Sequence, residues 1–97
     1  MESMTNDESQ ISSVEFYWRP GCPFCLHLER ALDTAKIPMS KRNIWDDPDA
    51  AAFVRSVADG NETVPTVRVG AWSGVNPSPA EVAKALEIEA PHLLPQS

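Results

Sequence analysis

One short stretch decides how the rest of the chain folds: Arg19-Pro20-Gly21-Cys22-Pro23-Phe24-Cys25. It contains both cysteines of the 97-residue chain, arranged as Cys-x-x-Cys. Before it, apolar and polar side chains alternate as they do in a β-strand, and after it apolar side chains recur at helical spacing. The stretch therefore predicts a strand-to-helix junction that carries two thiols.

Cys22 is predicted to be the nucleophile of this junction. If Cys22 is the N-cap and Pro23 the first helical residue, the proline loses no hydrogen bond and fixes φ for the turn. The amides of Phe24 and Cys25 then point back at the Cys22 sulfur, where the positive end of the helix dipole also favours a thiolate. Such surroundings lower the pKa of a cysteine from about 8.5 to roughly 3.5–7.5. Cys25 lies one turn in, on the apolar face, so we expect it to be the resolving thiol.

Structural uses of the cysteine pair are less favoured. A disulfide across a four-residue loop would contribute about 2 kcal/mol, against about 4.7 kcal/mol for a 100-residue loop. A zinc half-site would need further ligands, but the chain has no other cysteine, and His27 and His92 lack the close spacing of a zinc finger. Two inert thiols fit poorly beside a Pro-Gly-Cys-Pro turn. We therefore expect a redox-active pair with no metal and no bound cofactor.

Charge and composition argue against several classes of partner. The formal net charge is −6, which disfavours binding to nucleic acid or to an anionic membrane. Apolar runs are too short for a membrane-spanning helix, and the N-terminus lacks a secretory signal pattern. We expect a monomeric, cytoplasmic protein, because a Cys-x-x-Cys pair is kept reduced in that compartment.

The patterns predict one domain with the element order β-α-β-α-β-β-α. Strands are expected at 14–18, 39–44, 66–69 and 72–73, and helices at 23–36, from 48 to a stop at 59–61, and from 79 to 88. The first strand pair is parallel by a right-handed crossover and the later hairpin is antiparallel, so the sheet is mixed. Residues 1–13 are predicted to be a disordered leader, 14–88 the domain, and 89–97 a flexible tail.

Local signals refine these elements. Asp47 before Pro48 predicts a capped helix start, and Ser78-Pro79-Ala80-Glu81 has the pattern of a capping box. Lys41 and Arg42 favour an edge position for the second strand. Trp18 and Trp45 are interpreted as packing residues.

From Tyr17 to about Leu86 the chain resembles the glutaredoxin family. The resemblance implies an α/β, thioredoxin-like fold with a four-stranded mixed sheet and three helices, and the activity of a thiol-disulfide oxidoreductase. Mycoredoxins, the glutaredoxin relatives of mycothiol-using bacteria, share further pieces with it. The pieces that carry the resemblance are Phe16-Tyr17, Cys22-Pro23-Phe24-Cys25, Ala51-Ala52-Phe53-Val54, Gly60-Asn61, Thr63-Val64-Pro65 and Asn76-Pro77-Ser78.

The resemblance also implies roles around the thiols. Pro65 is expected to be a cis proline that places the Val64 backbone beside Cys22, although an ordinary proline at a strand entry is the alternative. Arg19 is expected to help lower the pKa of Cys22 or to bind a substrate carboxylate, the alternative being a solvated cation. Free N–H groups at the start of the last helix would meet a hydroxyl-rich or anionic ligand. The residues expected to bind substrate are Arg19, Pro23, Phe24, Thr63, Val64, Pro65, Asn76 and Ser78.

By this resemblance, Cys22 attacks the thiol sulfur of a protein–mycothiol mixed disulfide, and a second mycothiol regenerates Cys22. The implied partners are mycothiolated or disulfide-containing proteins, together with mycothiol and its NADPH-dependent reductase. Glutathione is less favoured, because glutathione-binding relatives carry Gly-Gly-x-Asp where this chain reads Gly74-Val75-Asn76-Pro77.

Two alternatives stay open. The segment 72–77 reads Trp-Ser-Gly-Val-Asn-Pro and resembles the Trp-Ser-Gly-Phe-x-Pro of NrdH-redoxins, which carry electrons from thioredoxin reductase to ribonucleotide reductase. Trp72 is equally well explained as a hairpin aromatic that covers the core. The second alternative is an iron–sulfur scaffold, in which two chains would hold a cluster through Cys22 and two small thiols. The family precedent suggests that Pro23 disfavours it.

Overall fold

The computed structural model of the protein describes residues 11–95, so most of the predicted leader, 1–13, lies outside the described residues. The predicted order of helices and strands is confirmed, with one short 3₁₀ turn added after the last helix. The elements are β1 Val14–Trp18, α1 Pro23–Thr34, β2 Met39–Asn43, α2 Pro48–Val57, β3 Thr66–Val69, β4 Trp72–Val75, α3 Pro79–Glu89 and the 3₁₀ turn Pro91–Leu93.

Proline-assisted caps start all three helices. Asp47 accepts hydrogen bonds from the N–H groups of Asp49 and Ala50, both at 3.1 Å, and thereby caps α2. In α3, Ser78 and Glu81 bond to each other's backbone N–H groups in the predicted capping box. These local signals fix the entry of each helix, so they also fix where the loops before them must lie.

Several element ends differ from the prediction, among them that of β2, which ends at Asn43 and not at residue 44. Helix α1 stops at Thr34 rather than at Lys36, because Lys36 has a φ of 61° and lies in the left-handed region. Strand β4 continues beyond Ser73, because Gly74 and Val75 remain paired with Val67 and Thr66 of β3. The hairpin is therefore two residues longer on this side, and it reaches the start of α3.

The sheet has the strand order β2-β1-β3-β4. Strand β1 pairs in parallel with β2 and antiparallel with β3, and β3 pairs antiparallel with β4, so the predicted mixed sheet and the edge position of β2 are confirmed. Consequently the ends of β1, β2 and β4 and the beginning of β3 lie at one end of the sheet. The loops that contain the cysteines, Trp45, Pro65 and Asn76 follow or precede the strands at this end.

The helices cover both faces of the sheet. Helices α1 and α3 pack on one face, where Phe16, Leu32 and Leu86 are almost completely buried. Helix α2 covers the other face through Val54 packed with Tyr17. Fully burying a Leu, Val or Phe side chain contributes about 1.5–3 kcal/mol each. The core on the face covered by α1 and α3 includes Cys22 and Cys25, so both cysteines are part of the packed core at the N-terminus of α1.

The segment after α3 also packs on the domain. Helix α3 ends one residue beyond the predicted 88, Ala90 is completely buried, and Leu93 and Leu94 pack against the α1–α3 core. The His92 Nε2 atom lies 2.6 Å from the carbonyl oxygen of Ile11. The flexibility of 89–97 stays a prediction. Among residues 11–95, no helix combines the length and apolar character needed to cross a lipid bilayer.

Candidate active site

The junction between β1 and α1 turns at Gly21, which has a φ of +73°. Cys22 follows in an extended conformation (φ −107°, ψ 102°) and is the N-cap of α1, and Pro23 takes the first helical position. Glycine suits the left-handed turn because it has no Cβ, and proline suits the first helical residue because no N–H is needed there. The predicted geometry of the Cys-x-x-Cys turn is therefore confirmed.

The Cys22 sulfur receives a backbone hydrogen bond. The N–H of Cys25 donates to Cys22 Sγ at 3.1 Å. The two cysteines are joined as a disulfide, with their Cα atoms 5.2 Å apart. Cys22 is 9% exposed and Cys25 3%, so Cys22 is the more accessible residue of the pair. After reduction, the same N–H and the helix N-terminus would favour a thiolate on Cys22, which is the form that attacks in thiol–disulfide exchange.

The loop before β3 brings a carbonyl group to the thiol. The Val64–Pro65 peptide bond is cis, as the resemblance implies, and the Val64 oxygen lies 3.8 Å from Cys22 Sγ. Thr66, which is fully buried, donates its hydroxyl to the Thr63 oxygen at 2.8 Å and ties the loop to the strand. Thr66 was not among the site residues predicted from the sequence. The signal that could have identified it is a hydroxyl residue placed directly after Val-Pro, at the start of an apolar strand.

A groove of about 430 Å³ lies beside the thiols. Its walls are almost entirely apolar, with a cation and a carboxylate among them. Arg19 contributes the cation, and its Nη1 donates to the Pro20 oxygen at 3.2 Å. Leu26 and Glu29, which were not among the predicted site residues, line the groove on the α1 side. The residues lining it are Trp18, Arg19, Gly21, Cys22, Pro23, Cys25, Leu26 and Glu29.

The interpretation of Trp45 as a packing residue is wrong. Trp45 is 62% exposed, and its ring lies 5.9 Å from the Arg19 guanidinium carbon. The reason is local: the side-chain oxygen of Asn43 accepts the Trp45 N–H at 2.9 Å and turns the chain as β2 ends. Ile44 is buried in the α2 core instead. Trp18, in contrast, packs against the core of the α1 face as predicted.

The expectation of free N–H groups at the start of α3 is wrong for both residues that were named. The N–H of Asn76 donates to the Pro65 oxygen at 2.7 Å, and the N–H of Ser78 donates to Glu81 Oε1 at 2.8 Å. The Ser78 hydroxyl is also used, because it accepts the N–H of Glu81. The exposed side chain of Asn76 is what this segment still offers to a ligand. The Asn76 bond also links this segment directly to the Val64–Pro65 loop.

The expected site residues therefore form three groups. Arg19 and Pro23 line the groove together with both cysteines. Val64 lies against Cys22 from the β3 side. Asn76 is joined to the Val64–Pro65 loop by its hydrogen bond to the Pro65 oxygen. Phe24 is 67% exposed and is not among the residues that line the groove, and Thr63 is exposed in its loop. Among residues 11–95 no group of three or more His, Cys, Asp or Glu residues is placed to hold a metal ion.

A charged cluster lies on the α2 face, behind the thiols. The Tyr17 hydroxyl donates to Glu15 at 2.6 Å, and burial, followed by this carboxylate, raises the pKa of Tyr17 to about 12. Arg42 binds Asp47 through two hydrogen bonds of 2.9 and 3.1 Å, which lowers the pKa of Asp47. The cluster holds α2 against β1 and β2, and so supports the base of the site.

Comparisons with known proteins agree with this geometry. Residues 14–71 match the family model described as Glutaredoxin. Mycoredoxin 1 of Corynebacterium glutamicum is 36% identical over 78 residues, which covers 79% of this chain and 96% of that protein. Among solved structures, the NrdH-redoxin of Escherichia coli has a TM-score of 0.64 at 25% identity and covers 74% of this chain and 92% of its own. A glutaredoxin from Brucella melitensis has a TM-score of 0.57 at 25% identity, covering 81% and 82%.

Proposed function

Because this chain belongs to the glutaredoxin family, whose members are thiol-disulfide oxidoreductases, we propose that it reduces mixed disulfides between proteins and mycothiol. The observation that carries the proposal is the environment of Cys22. Its sulfur caps α1, accepts the Cys25 N–H at 3.1 Å and borders an open groove. A sulfur so placed is suited to attack a disulfide as a thiolate.

The proposed reaction is a thiol–disulfide exchange. The Cys22 thiolate attacks the mycothiol sulfur, a bond forms between these two sulfurs, and the target protein leaves as a thiolate that takes a proton from water. A second mycothiol then attacks the mycothiol sulfur on Cys22, which releases mycothiol disulfide and restores the Cys22 thiolate. An NADPH-dependent mycothiol reductase then reduces the mycothiol disulfide back to mycothiol, in the reducing cytoplasm.

The backbone of Val64 supports binding of the small thiol. Its carbonyl oxygen lies 3.8 Å from the Cys22 sulfur. An extended thiol compound could pair with this backbone as an added strand does, because backbone groups at a strand entry face outward. Asn76, joined to the same loop through the Pro65 oxygen, adds an exposed amide that suits hydroxyl groups.

The start of α3 favours mycothiol over glutathione. Glutathione carries an ammonium group, and in the relatives that bind it an aspartate follows the glycine pair. Here the segment 74–77 has no acidic residue, and the nearby Glu81 carboxylate is held in the capping box. Mycothiol, a thiol built on an uncharged double sugar, needs no such carboxylate. The likeness to Mycoredoxin 1 points the same way.

A second candidate is a dithiol electron carrier of NrdH-redoxin type. Cys22 and Cys25 are paired in the structure, and an NrdH-redoxin is among the structural neighbours. The Trp-Ser-Gly segment itself has a structural explanation, since a Cβ at Gly74 would lie 2.7 Å from the Trp72 ring and Trp72 packs against the core. The disulfide between Cys22 and Cys25 therefore supports this candidate more than the Trp-Ser-Gly segment does.

The electron donor distinguishes the two candidates. The oxidised protein is mixed either with mycothiol, its reductase and NADPH, or with thioredoxin reductase and NADPH, and NADPH oxidation is followed with a mycothiolated protein as substrate. Mycoredoxin-type function predicts turnover with the mycothiol system that survives the Cys25→Ser substitution. Turnover with thioredoxin reductase alone, abolished by Cys25→Ser, would establish the dithiol carrier instead. Cys22→Ser is the control and should be inactive in both systems.

A further inference from the structure

The thiol lies between two flanks of different chemistry. The strand order places the end of β2 on one side of β1 and the start of β3 on the other. The β3 side carries the Val64 carbonyl and the Asn76 amide. The β2 side carries Trp45 and Arg19 and leads into the groove beside Cys22. We call Arg19, Leu26, Trp45 and the groove between β1 and α1 the β2 flank.

The β2 flank is apolar and exposed. The Leu26 and Trp45 side chains of this flank are 49% and 62% exposed. The groove floor adds Trp18 and Pro23. Exposed aromatic and aliphatic side chains around a groove are typical of surfaces that bind other proteins. An uncharged, hydroxyl-rich sugar thiol gains little from such a surface, whereas the side chains of a polypeptide gain much.

The charge on the β2 flank is positive. Glu29 lines the groove, but its carboxylate is bound by Lys41 Nζ at 2.8 Å. Arg19 belongs to none of the ion pairs within residues 11–95, and its guanidinium lies 5.9 Å from the Trp45 ring, within the range of a cation–π contact. The uncompensated charge at the groove is therefore a cation, on a chain whose net charge is −6. Such a site complements a carboxylate next to an apolar side chain.

We propose that the β2 flank binds the polypeptide part of the mixed disulfide and selects target cysteines that have a large apolar residue and an acidic residue nearby. The inference rests on the proposed function and extends it to the identity of the target. During the exchange, Cys22 bonds to the mycothiol sulfur while the bond from that sulfur to the target cysteine breaks. The leaving sulfur is only one S–S bond, about 2 Å, further from Cys22, so side chains beside the target cysteine reach the groove. The target leaves as a thiolate, which water protonates.

Three mycothiolated peptides with a single cysteine test this selection. The first has Leu before and Glu after the cysteine, the second has Leu and Lys, and the third Ser and Glu. The wild-type protein should reduce the first peptide with kcat/KM roughly tenfold higher than either of the others, as expected when one favourable contact is lost. The expected origin is KM rather than kcat.

Substitutions on the β2 flank should change these ratios in a specific way. Arg19→Glu should raise kcat/KM for the Lys peptide above that for the Glu peptide. Misfolding cannot produce such a gain. A general loss of Cys22 reactivity would lower both values equally and leave their ratio unchanged. Trp45→Ala and Leu26→Ser should bring the Leu and Ser peptides to within about twofold of each other. Ile88→Ser is the matched control, because Ile88 is 63% exposed on α3 and does not line this groove. It should keep the wild-type ratios.

The outcomes separate this inference from the proposed function. Equal kcat/KM for all three peptides would overturn the inference and leave the proposed function standing. A change in the dependence on mycothiol concentration in Trp45→Ala, with unchanged peptide ratios, would overturn it by showing that the flank binds the small thiol. If no peptide is reduced, the proposed function fails, and the inference fails with it.

Discussion

Replacing Thr66 with valine tests how the loop before β3 is held against the thiol. The Thr66 side chain is fully buried, and its hydroxyl donates to the Thr63 oxygen at 2.8 Å. Val64, between these partners in the sequence, presents its carbonyl 3.8 Å from the Cys22 sulfur. Valine has nearly the same shape as threonine but cannot donate, so the loop should lose its tie to β3 while the core stays filled.

The expected loss of stability follows from that one hydrogen bond. A buried neutral hydrogen bond contributes about 1 kcal/mol net, and Thr63 is exposed, so water can satisfy its freed oxygen. Unfolding free energy should fall by about 1 kcal/mol, which lowers Tm by about 4–8 °C in a domain of this size. Displacement of the Val64 carbonyl should lower kcat/KM on a mycothiolated peptide by roughly three- to tenfold, because small misplacements near reacting atoms are costly.

Thr66→Ser provides the matched control. Serine keeps the hydroxyl but removes a buried methyl group, which should also cost about 1 kcal/mol of unfolding free energy. Urea titrations followed by tryptophan fluorescence should show both variants destabilised, while only Thr66→Val loses activity. If Thr66→Val retains wild-type kcat/KM, or if Thr66→Ser loses as much, the hydrogen bond does not hold the loop in its active position.

Three further predictions concern reactivity, pH dependence and packing. In reduced Cys25→Ser protein, the rate of Cys22 alkylation should rise with a midpoint below pH 8.5, and a midpoint equal to that of free cysteine would refute the role of the α1 N-terminus. Because burial and a neighbouring carboxylate raise the pKa of Tyr17 to about 12, the protonated form stabilises the fold below pH 10, and this stabilisation should disappear as pH rises towards 12. Urea midpoints in that range should fall more steeply for the wild type than for Tyr17→Phe, and parallel curves would contradict this linkage. Gly74→Ala would place a Cβ 2.7 Å from the Trp72 ring, and should reduce the unfolding free energy by about 1–3 kcal/mol in a urea titration; an unchanged value would show that the ring moves freely.

Local signals in the sequence were sufficient for the helix starts and for the thiol turn. Pro23, Pro48 and the capping box at Ser78 act within a few residues, so their effect on the backbone can be predicted without knowing the rest of the fold. The same holds for the placement of Cys22 as an N-cap. The edge position of β2 was predicted from charge alone and is confirmed by the strand order.

Long-range contacts explain what the sequence could not predict. The N–H of Asn76 donates to the Pro65 oxygen. This hydrogen bond forms only because β3 and β4 pair beyond the predicted end of the hairpin. Trp45 is a local exception: its N–H donates to the Asn43 side-chain oxygen, which turns the chain and leaves the ring exposed, whereas hydrophobicity alone favoured burial. The cation–π pair between Trp45 and Arg19 joins two loops separated by α1 and β2, so no local pattern indicates it.

The most direct test of the central claim is to identify the covalent intermediate on Cys22. Cys25→Ser protein, reduced and mixed with one equivalent of a mycothiolated protein, is quenched with acid and analysed by intact mass and peptide mapping. We expect a mycothiol adduct on Cys22 and a target protein with a free thiol. A disulfide between Cys22 and the target protein, with mycothiol released, would contradict it and would show that the enzyme attacks the protein sulfur as a dithiol carrier does.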